Sequence, residues 1–185
     1  YNGDTENYIK MSMGEKSISP YKYRIIYPFL VGYFSDFWFG SKEFTPILYT
    51  SILMNFIICF IILILSFNLF SPISKYPFLI SLVIISSPGI FKTIPNLMID
   101  IPSVLMILLI LKYQSNKIIF PLILIISMFV KEVFVLFSIP LFILFLKGRN
   151  TKYFFYSLIP PLIFISTRIW FKDDPLSVNY GWKLS

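Results

Sequence analysis

The apolar run at residues 48–70 most constrains the fold of this chain, because it contains no charged residue at all. As an α-helix this run would span about 35 Å, which is enough to cross a bilayer core of about 30 Å. Composition agrees: hydrophobic residues make up 57% of the chain, charged residues 14%, and mean hydropathy is +0.78. These values are typical of integral membrane proteins. Further apolar runs follow at 77–91, 101–111, 118–130, 133–146 and 153–171.

We therefore predict an all-α fold, a polytopic membrane helical bundle with about six spans. The runs at 101–111 and 118–130 are short, about 17–20 Å as helices, so several spans are shorter than a bilayer is thick. Residues 1–47 are expected to form an outer loop and an aromatic, amphipathic interfacial helix. Residues 48–171 form the transmembrane helical core in this prediction. Residues 172–185 form an outer tail, which we expect to continue in a longer protein.

Two local sequences interrupt the predicted spans. The Ser-Ser-Pro-Gly sequence at 86–89 is expected to break the second span near the outer surface. Lys131 and Glu132 separate two apolar runs, and an uninterrupted helix would place both charges in hydrocarbon. The sequence therefore predicts a break at 131–132 as well, and kinks at Pro140 and at Pro160 and Pro161.

Charge is sorted across the predicted membrane. When the loops are numbered alternately outside and inside, every carboxylate falls on the side of the N-terminus, whereas the opposite loops hold only cations. An excess of Lys and Arg in short loops is typical of the cytoplasmic side. We therefore predict a multi-pass integral membrane protein with its acidic face outward, in a cell or inner membrane or in the endoplasmic reticulum. The carboxylates are Asp4, Glu6, Glu15, Asp36, Glu43, Asp100, Glu132, Asp173 and Asp174, and the inner cations are Lys75, Lys112, Lys117, Lys147, Arg149 and Lys152.

Composition also excludes several functions. The chain has no histidine, which removes Ser-His-Asp and Cys-His nucleophilic sites and His-ligated zinc. Its single cysteine, Cys59, lies within the longest apolar run and is expected to be a small packing residue. The net charge of +7 is not arranged as a basic stripe with interleaved aromatics, so no nucleic-acid partner is predicted. No phosphate-binding or dinucleotide-binding glycine pattern occurs.

Three outer segments of this topology carry the candidate chemistry: residues 3–8, 96–100 and 131–132. A carboxylate that is partly buried at the membrane surface can act as a general base, because burial raises its pKa. Asp100 also directly precedes an apolar helix, where it could equally serve as an N-cap. On local grounds these two roles of Asp100 remain alternatives.

Short motifs in these segments resemble one enzyme class. Gly-Asp-x-x-x-Tyr at 3–8, Tyr-Arg-Ile-Ile-Tyr-Pro-Phe-Leu at 23–30, Ser-Pro-Gly at 87–89, Asp-Ile-Pro at 100–102 and Lys-Glu at 131–132 resemble the GT-C-type integral-membrane glycosyltransferases. Those enzymes transfer a sugar from a polyprenyl-phosphate carrier. They have a membrane helix before the first acidic loop and more than six spans, so we expect this chain to be a fragment or truncated core of such an enzyme.

The resemblance implies roles for particular residues. Asp4 and Asp100 would be catalytic, with Asp4 as the general base on the acceptor and Glu6 as a second candidate for that base. Asp100 would orient the acceptor or complete the site. Substrate binding would fall to a second set, in which the cations clamp the carrier's phosphate. Their alternatives are interfacial snorkelling for Arg24 and Arg168 and an ion pair with Glu132 for Lys131. The substrate-binding set is Glu6, Tyr8, Arg24, Lys131, Glu132 and Arg168.

The predicted partners are a polyprenyl-phosphate-linked sugar, the lipid bilayer and an acceptor that the sequence does not specify. No metal site is predicted; the two carboxylates could hold a divalent cation, but the chemistry does not require one. The alternative function is a non-catalytic membrane subunit of a larger complex, with possible membrane-protein partners. A transporter with an ion site at 131–132 is less favoured, because the carboxylates gather at one face rather than at the midplane.

Overall fold

The computed structural model describes residues 3–15, 23–148 and 150–170, and within these ranges all of the regular secondary structure is helical. The predicted all-α class is therefore confirmed for the described residues. Within the described ranges, nine α-helices and the 3₁₀ segment Glu132–Phe137 follow one another. The helices are α1 Gly3–Ser12, α2 Ile26–Phe39, α3 Phe44–Phe70, α4 Pro77–Ile85, α5 Pro88–Thr93, α6 Asp100–Tyr113, α7 Ile119–Val130, α8 Ser138–Gly148 and α9 Thr151–Trp170.

Within the described residues, only α3 is both long and apolar enough to cross a membrane. It has 27 residues, or about 40 Å, and Pro46 lies in its first turn, where a proline is well tolerated. The side chains that α3 buries against other helices are small or polar at Thr50, Ser51, Asn55 and Cys59, while its exposed face carries large apolar groups. The remaining spans of the predicted six stay a prediction.

The predicted interruptions are confirmed. The second apolar run divides at Ser86 and Ser87 into α4 and α5. At Lys131 the backbone is extended, with φ −156° and ψ 125°, so α7 ends and the 3₁₀ segment begins. Since Pro160 and Pro161 are accommodated inside α9, these two prolines do not end that helix.

The N-terminal segment differs from the outer loop that the sequence predicts. It forms the ten-residue helix α1, and Thr5, Tyr8, Ile9 and Ser12 are buried on one face of it. These positions follow the i, i+3, i+4, i+7 spacing of a helix face, which is why the segment folds onto α2 and α3. Because most other residues of this segment are polar, the sequence prediction did not identify this buried face.

Two apolar clusters form the core. The first joins α1, α2, α3, α5 and α6 around Ile47, Ile62, Leu97 and Ile101. The second joins α6, α7, the 3₁₀ segment and α8 around Phe120, Leu124 and Phe134, with α9 packed against it. Helix α6 connects the two clusters, because it contributes Ile101 and Leu108 to the first and Ile110 to the second. Of the predicted division of the chain, the tail at 172–185 lies outside the described residues.

Candidate functional site

A groove of about 460 Å³ lies between α5, α6 and the 3₁₀ segment. Its polar lining consists of Ser87, Asp100, Ser103 and Lys131. The rest of its wall is apolar, which leaves the polar groups as a small minority of the surface. The apolar side chains are Ile90, Val104, Ile107, Val133, Phe134, Leu136 and Phe137.

An ion pair joins the two charged groups of this groove. Lys131 Nζ donates a hydrogen bond to Asp100 Oδ1 at 2.9 Å, and the two side chains are 30% and 43% exposed. The pair connects the start of α6 to the extended residue that follows α7. Asp100 is itself the first residue of α6 and the N-cap position is Ile99, so the expectation that Asp100 directly precedes the helix as its cap is wrong. Lys131 pairs with Asp100 and not, as the alternative held, with Glu132.

Glu132 belongs to a second ionic cluster, centred on Arg24. The Arg24 guanidinium donates to Glu132 through Nε at 2.7 Å and Nη2 at 2.6 Å, a bidentate arrangement. Its Nη1 donates to the hydroxyl of Tyr8 at 2.8 Å. Arg24, which is 108 positions before Glu132 in the sequence, thereby ties α1 to the 3₁₀ segment. Neither partner of the ion pair is more than 20% exposed.

Electrostatics keep this pair ionised. Burial raises the pKa of Glu132, but the hydrogen bonds from Arg24 and the charges of Arg24 and Arg168 outweigh burial and hold that pKa below its ordinary value. For Arg24, burial lowers the pKa, and the bonds to Glu132 and Tyr8 raise it by more. Both groups therefore remain charged across the physiological pH range.

Arg168 approaches the same cluster from the end of α9. Its guanidinium carbon lies 3.7 Å from the ring centroid of the buried Tyr23 and 4.9 Å from that of Phe164. A planar guanidinium stacks favourably on an aromatic face. Arg168 thus fastens the last described helix to the segment that carries Arg24, whereas snorkelling would have directed it to solvent.

Glu6 lies apart from both clusters in its contacts. Its exposed carboxylate accepts a hydrogen bond from Lys10 Nζ at 2.7 Å, one helical turn away, which lowers the pKa of Glu6. The backbone of Asp4 lies in α1, but its side chain falls outside the described part of the structure. The roles predicted for Asp4, Glu6 and Tyr8 therefore stay predictions, as do those of the other site residues.

Sequence reasoning missed one polar centre, Asn55 in the middle of α3. Its side chain is fully buried and contacts Tyr27 and the backbone between α5 and α6. A lone amide in a long apolar run was the available signal, because polar groups at membrane depth are costly and usually have a role. Among the described residues, no three His, Cys, Asp or Glu side chains cluster as a metal site would require.

Comparison with protein-family models, with curated proteins and with solved structures gives no significant match for this sequence. The site's own geometry must therefore carry the functional argument.

Proposed function

We propose that this chain is the membrane core of a glycosyltransferase that moves a sugar from a polyprenyl-phosphate carrier to an acceptor on the outer face of the membrane. The groove beside Asp100 and Lys131 carries the proposal. One carboxylate and one ammonium group sit among walls that are otherwise almost wholly apolar. This combination suits an amphiphile with a charged head and a hydrocarbon chain.

The surface of α3 supports a membrane location. Large apolar side chains such as Phe56 and Phe60 are 57% and 63% exposed, whereas the buried side includes Thr50, Ser51 and Asn55. In water this arrangement would be unfavourable, because it exposes apolar side chains and buries polar groups. In a bilayer the apolar side chains contact lipid and the polar groups find partners between the helices. We extend the proposal to six spans: α3, α4 together with α5, α6, α7, α8 and α9. The groove then opens on the acidic, outer side.

Within this proposal the ion-paired groups have complementary tasks. The resemblance gave the role of general base to Asp4, but Asp100 is the carboxylate that lines the groove, so in this proposal Asp100 accepts the proton of the acceptor hydroxyl, whose oxygen bonds to the anomeric carbon of the sugar. The bond from that carbon to the carrier's phosphate oxygen breaks, and its electron pair leaves with the phosphate. Lys131 stabilises the charge that accumulates on this phosphate. Asp4 is the second proposed acid, carried on the helix that Tyr8 and Arg24 hold in place.

The proposal gives each remaining member of the predicted site a supporting role. Arg24 and Glu132 are engaged with each other, so in the proposal they hold α1 and the 3₁₀ segment in register around the carrier. The exposed Glu6 is available to the acceptor. Arg168 lies against Tyr23 and Phe164 and, in the proposal, adds positive charge that attracts the carrier's phosphate.

The test is sugar transfer from a mixed pool of labelled polyprenyl-phosphate sugars by the full-length protein in detergent or liposomes. Asp100→Asn is expected to lower the rate by about 10²- to 10⁴-fold, since it removes the proton acceptor. Asp36→Asn is the matched control, because Asp36 is also an outer carboxylate and pairs loosely with Lys42 at 3.8 Å. Its rate should equal that of the wild type, and both variants should unfold at the same temperature as the wild type.

Two results would count against the proposal. If Asp100→Asn and Asp36→Asn keep equal, wild-type rates, the groove is not the reaction site. If the wild type transfers no sugar and co-purifies with a partner that fills the groove, the chain is a non-catalytic membrane subunit. The second function is favoured by one observation, that Asp100 and Lys131 already neutralise each other.

A further inference from the structure

Asn55 organises the loop that leads to the proposed site. It is fully buried inside α3, and its two ends contact different parts of the protein. The amide oxygen accepts a hydrogen bond from the hydroxyl of Tyr27 on α2. The amide nitrogen donates to the carbonyl oxygens of Ile94 and Asn96, both at 3.0 Å, and lies 3.4 Å from that of Thr93.

These carbonyls lie where α5 ends. Ile94 and Asn96 follow Thr93, the last residue of α5, so their carbonyls accept no hydrogen bond inside that helix and accept from Asn55 instead. Where the surroundings are apolar, water cannot substitute, so each unpaired carbonyl is costly. The amide accepts from Tyr27 with its oxygen while its two N–H groups donate to both carbonyls; a hydroxyl has a single donor, an ionised carboxylate has none, and an aliphatic side chain can neither donate nor accept.

The loop leads directly to the ion pair of the groove. After Asn96 come Leu97 and Ile99, which are 0% and 3% exposed, and then Asp100 begins α6. Ile101 is also fully buried, so the chain is fixed on both sides of Asp100. The position of Asp100 is thus set by two apolar anchors and by the amide at the start of the loop.

We propose that Asn55, oriented by Tyr27, is a positioning residue that holds the α5–α6 loop so that the Asp100 carboxylate meets Lys131. Asn55 touches neither of these charged side chains and acts through the backbone at 93–96. The structural part of the inference does not depend on the enzyme. Its effect on sugar transfer rests on the proposed function.

The reactivity of Lys131 reports on this positioning. In the full-length protein in detergent, acetylation of each lysine is followed over time by peptide mass spectrometry. The Asp100→Asn variant gives the acetylation rate of Lys131 when the Asp100 carboxylate is absent. Asn55→Leu is expected to raise the acetylation rate of Lys131 towards that value, by roughly two- to fivefold. This is the change in an equilibrium constant that corresponds to the free energy of a partly exposed ion pair. Asn68→Leu is the matched control, since Asn68 lies on the same helix but is exposed.

The double variant separates positioning from general loosening. If Asn55 acts through Asp100, Asn55→Leu adds nothing to the Lys131 rate once Asp100→Asn is present. Amide exchange at 94–100 should also quicken in the Asn55 variant alone. An unchanged Lys131 rate in Asn55→Leu overturns the inference. So does an equal rise at Lys131 and at the distant Lys112, because that pattern means the whole fold has loosened.

Two further measurements keep the test decisive. Asn55→Ser removes the amide and leaves a smaller side chain, so it answers the same question if the leucine variant does not fold. Sugar transfer is then measured on the same preparations, and we expect kcat to fall in the Asn55 variants. If the Lys131 rates change as stated while even the wild type transfers no sugar, the positioning role stands and the proposed function fails.

Discussion

Replacement of Gly32 by alanine tests how α1 is held on the rest of the molecule. Gly32 is buried in α2 against Ser12, the last residue of α1. A Cβ added there would lie 2.2 Å from the Ser12 carbonyl oxygen, 3.0 Å from its carbonyl carbon and 3.2 Å from its Cα. All three atoms are backbone, so no side-chain rotation can relieve the contact.

The size of the effect follows from this geometry. To reach an ordinary contact of about 3.5 Å, the two helices must separate by about 1 Å. Overpacking of this kind costs about 1–3 kcal/mol, whereas alanine in place of glycine within a helix contributes at most about 1 kcal/mol. We therefore expect Gly32→Ala to lower the free energy of unfolding by about 1–2 kcal/mol. The same movement would lengthen the 2.8 Å bond from Arg24 to the Tyr8 hydroxyl.

Denaturant titration in detergent, followed by circular dichroism, measures the change in unfolding free energy. The control is Gly148→Ala, because a Cβ at Gly148 meets nothing within 4 Å. It should be neutral or slightly stabilising. Limited proteolysis within residues 3–15 should be faster in Gly32→Ala than in the control. If both variants are equally stable and equally resistant, the close packing of α1 on α2 described here is wrong.

Two more predictions concern the charged clusters and the groove. The folded pKa of Glu132 is below its ordinary value of 4.5, so its stabilising contribution is complete above about pH 4.5 and is lost as the pH falls through the lowered pKa. Thermal unfolding of Glu132→Gln between about pH 3 and 7 should therefore show less acid destabilisation than the wild type, and parallel pH profiles would contradict the pairing with Arg24. Val104→Trp should fill the groove and lower sugar transfer by at least about tenfold, while Val83→Trp, on an exposed position of α4, should not. Equal transfer rates in these two variants would show that the substrate does not use the groove.

Local signals made much of the helical framework predictable. Apolar run length located α3, Pro46 fell in its first turn, and the Ser-Ser-Pro-Gly cluster divided α4 from α5. The break at 131–132 followed from the cost of placing two charges in a continuous apolar helix. Each of these features depends on neighbouring residues, and so can be read from a short window of sequence.

The partners of the ion pairs could not be predicted from a short window of sequence. Lys131 and Glu132 are adjacent and of opposite charge, yet each pairs with a residue far away in the chain, Asp100 and Arg24. Extended backbone at Lys131 followed by a 3₁₀ turn directs the two side chains to different partners. Which carboxylate meets which cation depends on how α6 packs against α7 and on where the segment of Arg24 lies.

The sequence by itself determined the helical class of this protein, because apolar run length and helix-breaking residues act locally. It also singled out the charged residues that are scarce in so apolar a chain. Only the tertiary structure decided that α1 is a packed helix, that Asn55 secures the α5–α6 loop, and that Asp100 and Lys131 share a groove. These are contacts between segments distant in sequence, and their geometry is set by the packing of the whole core.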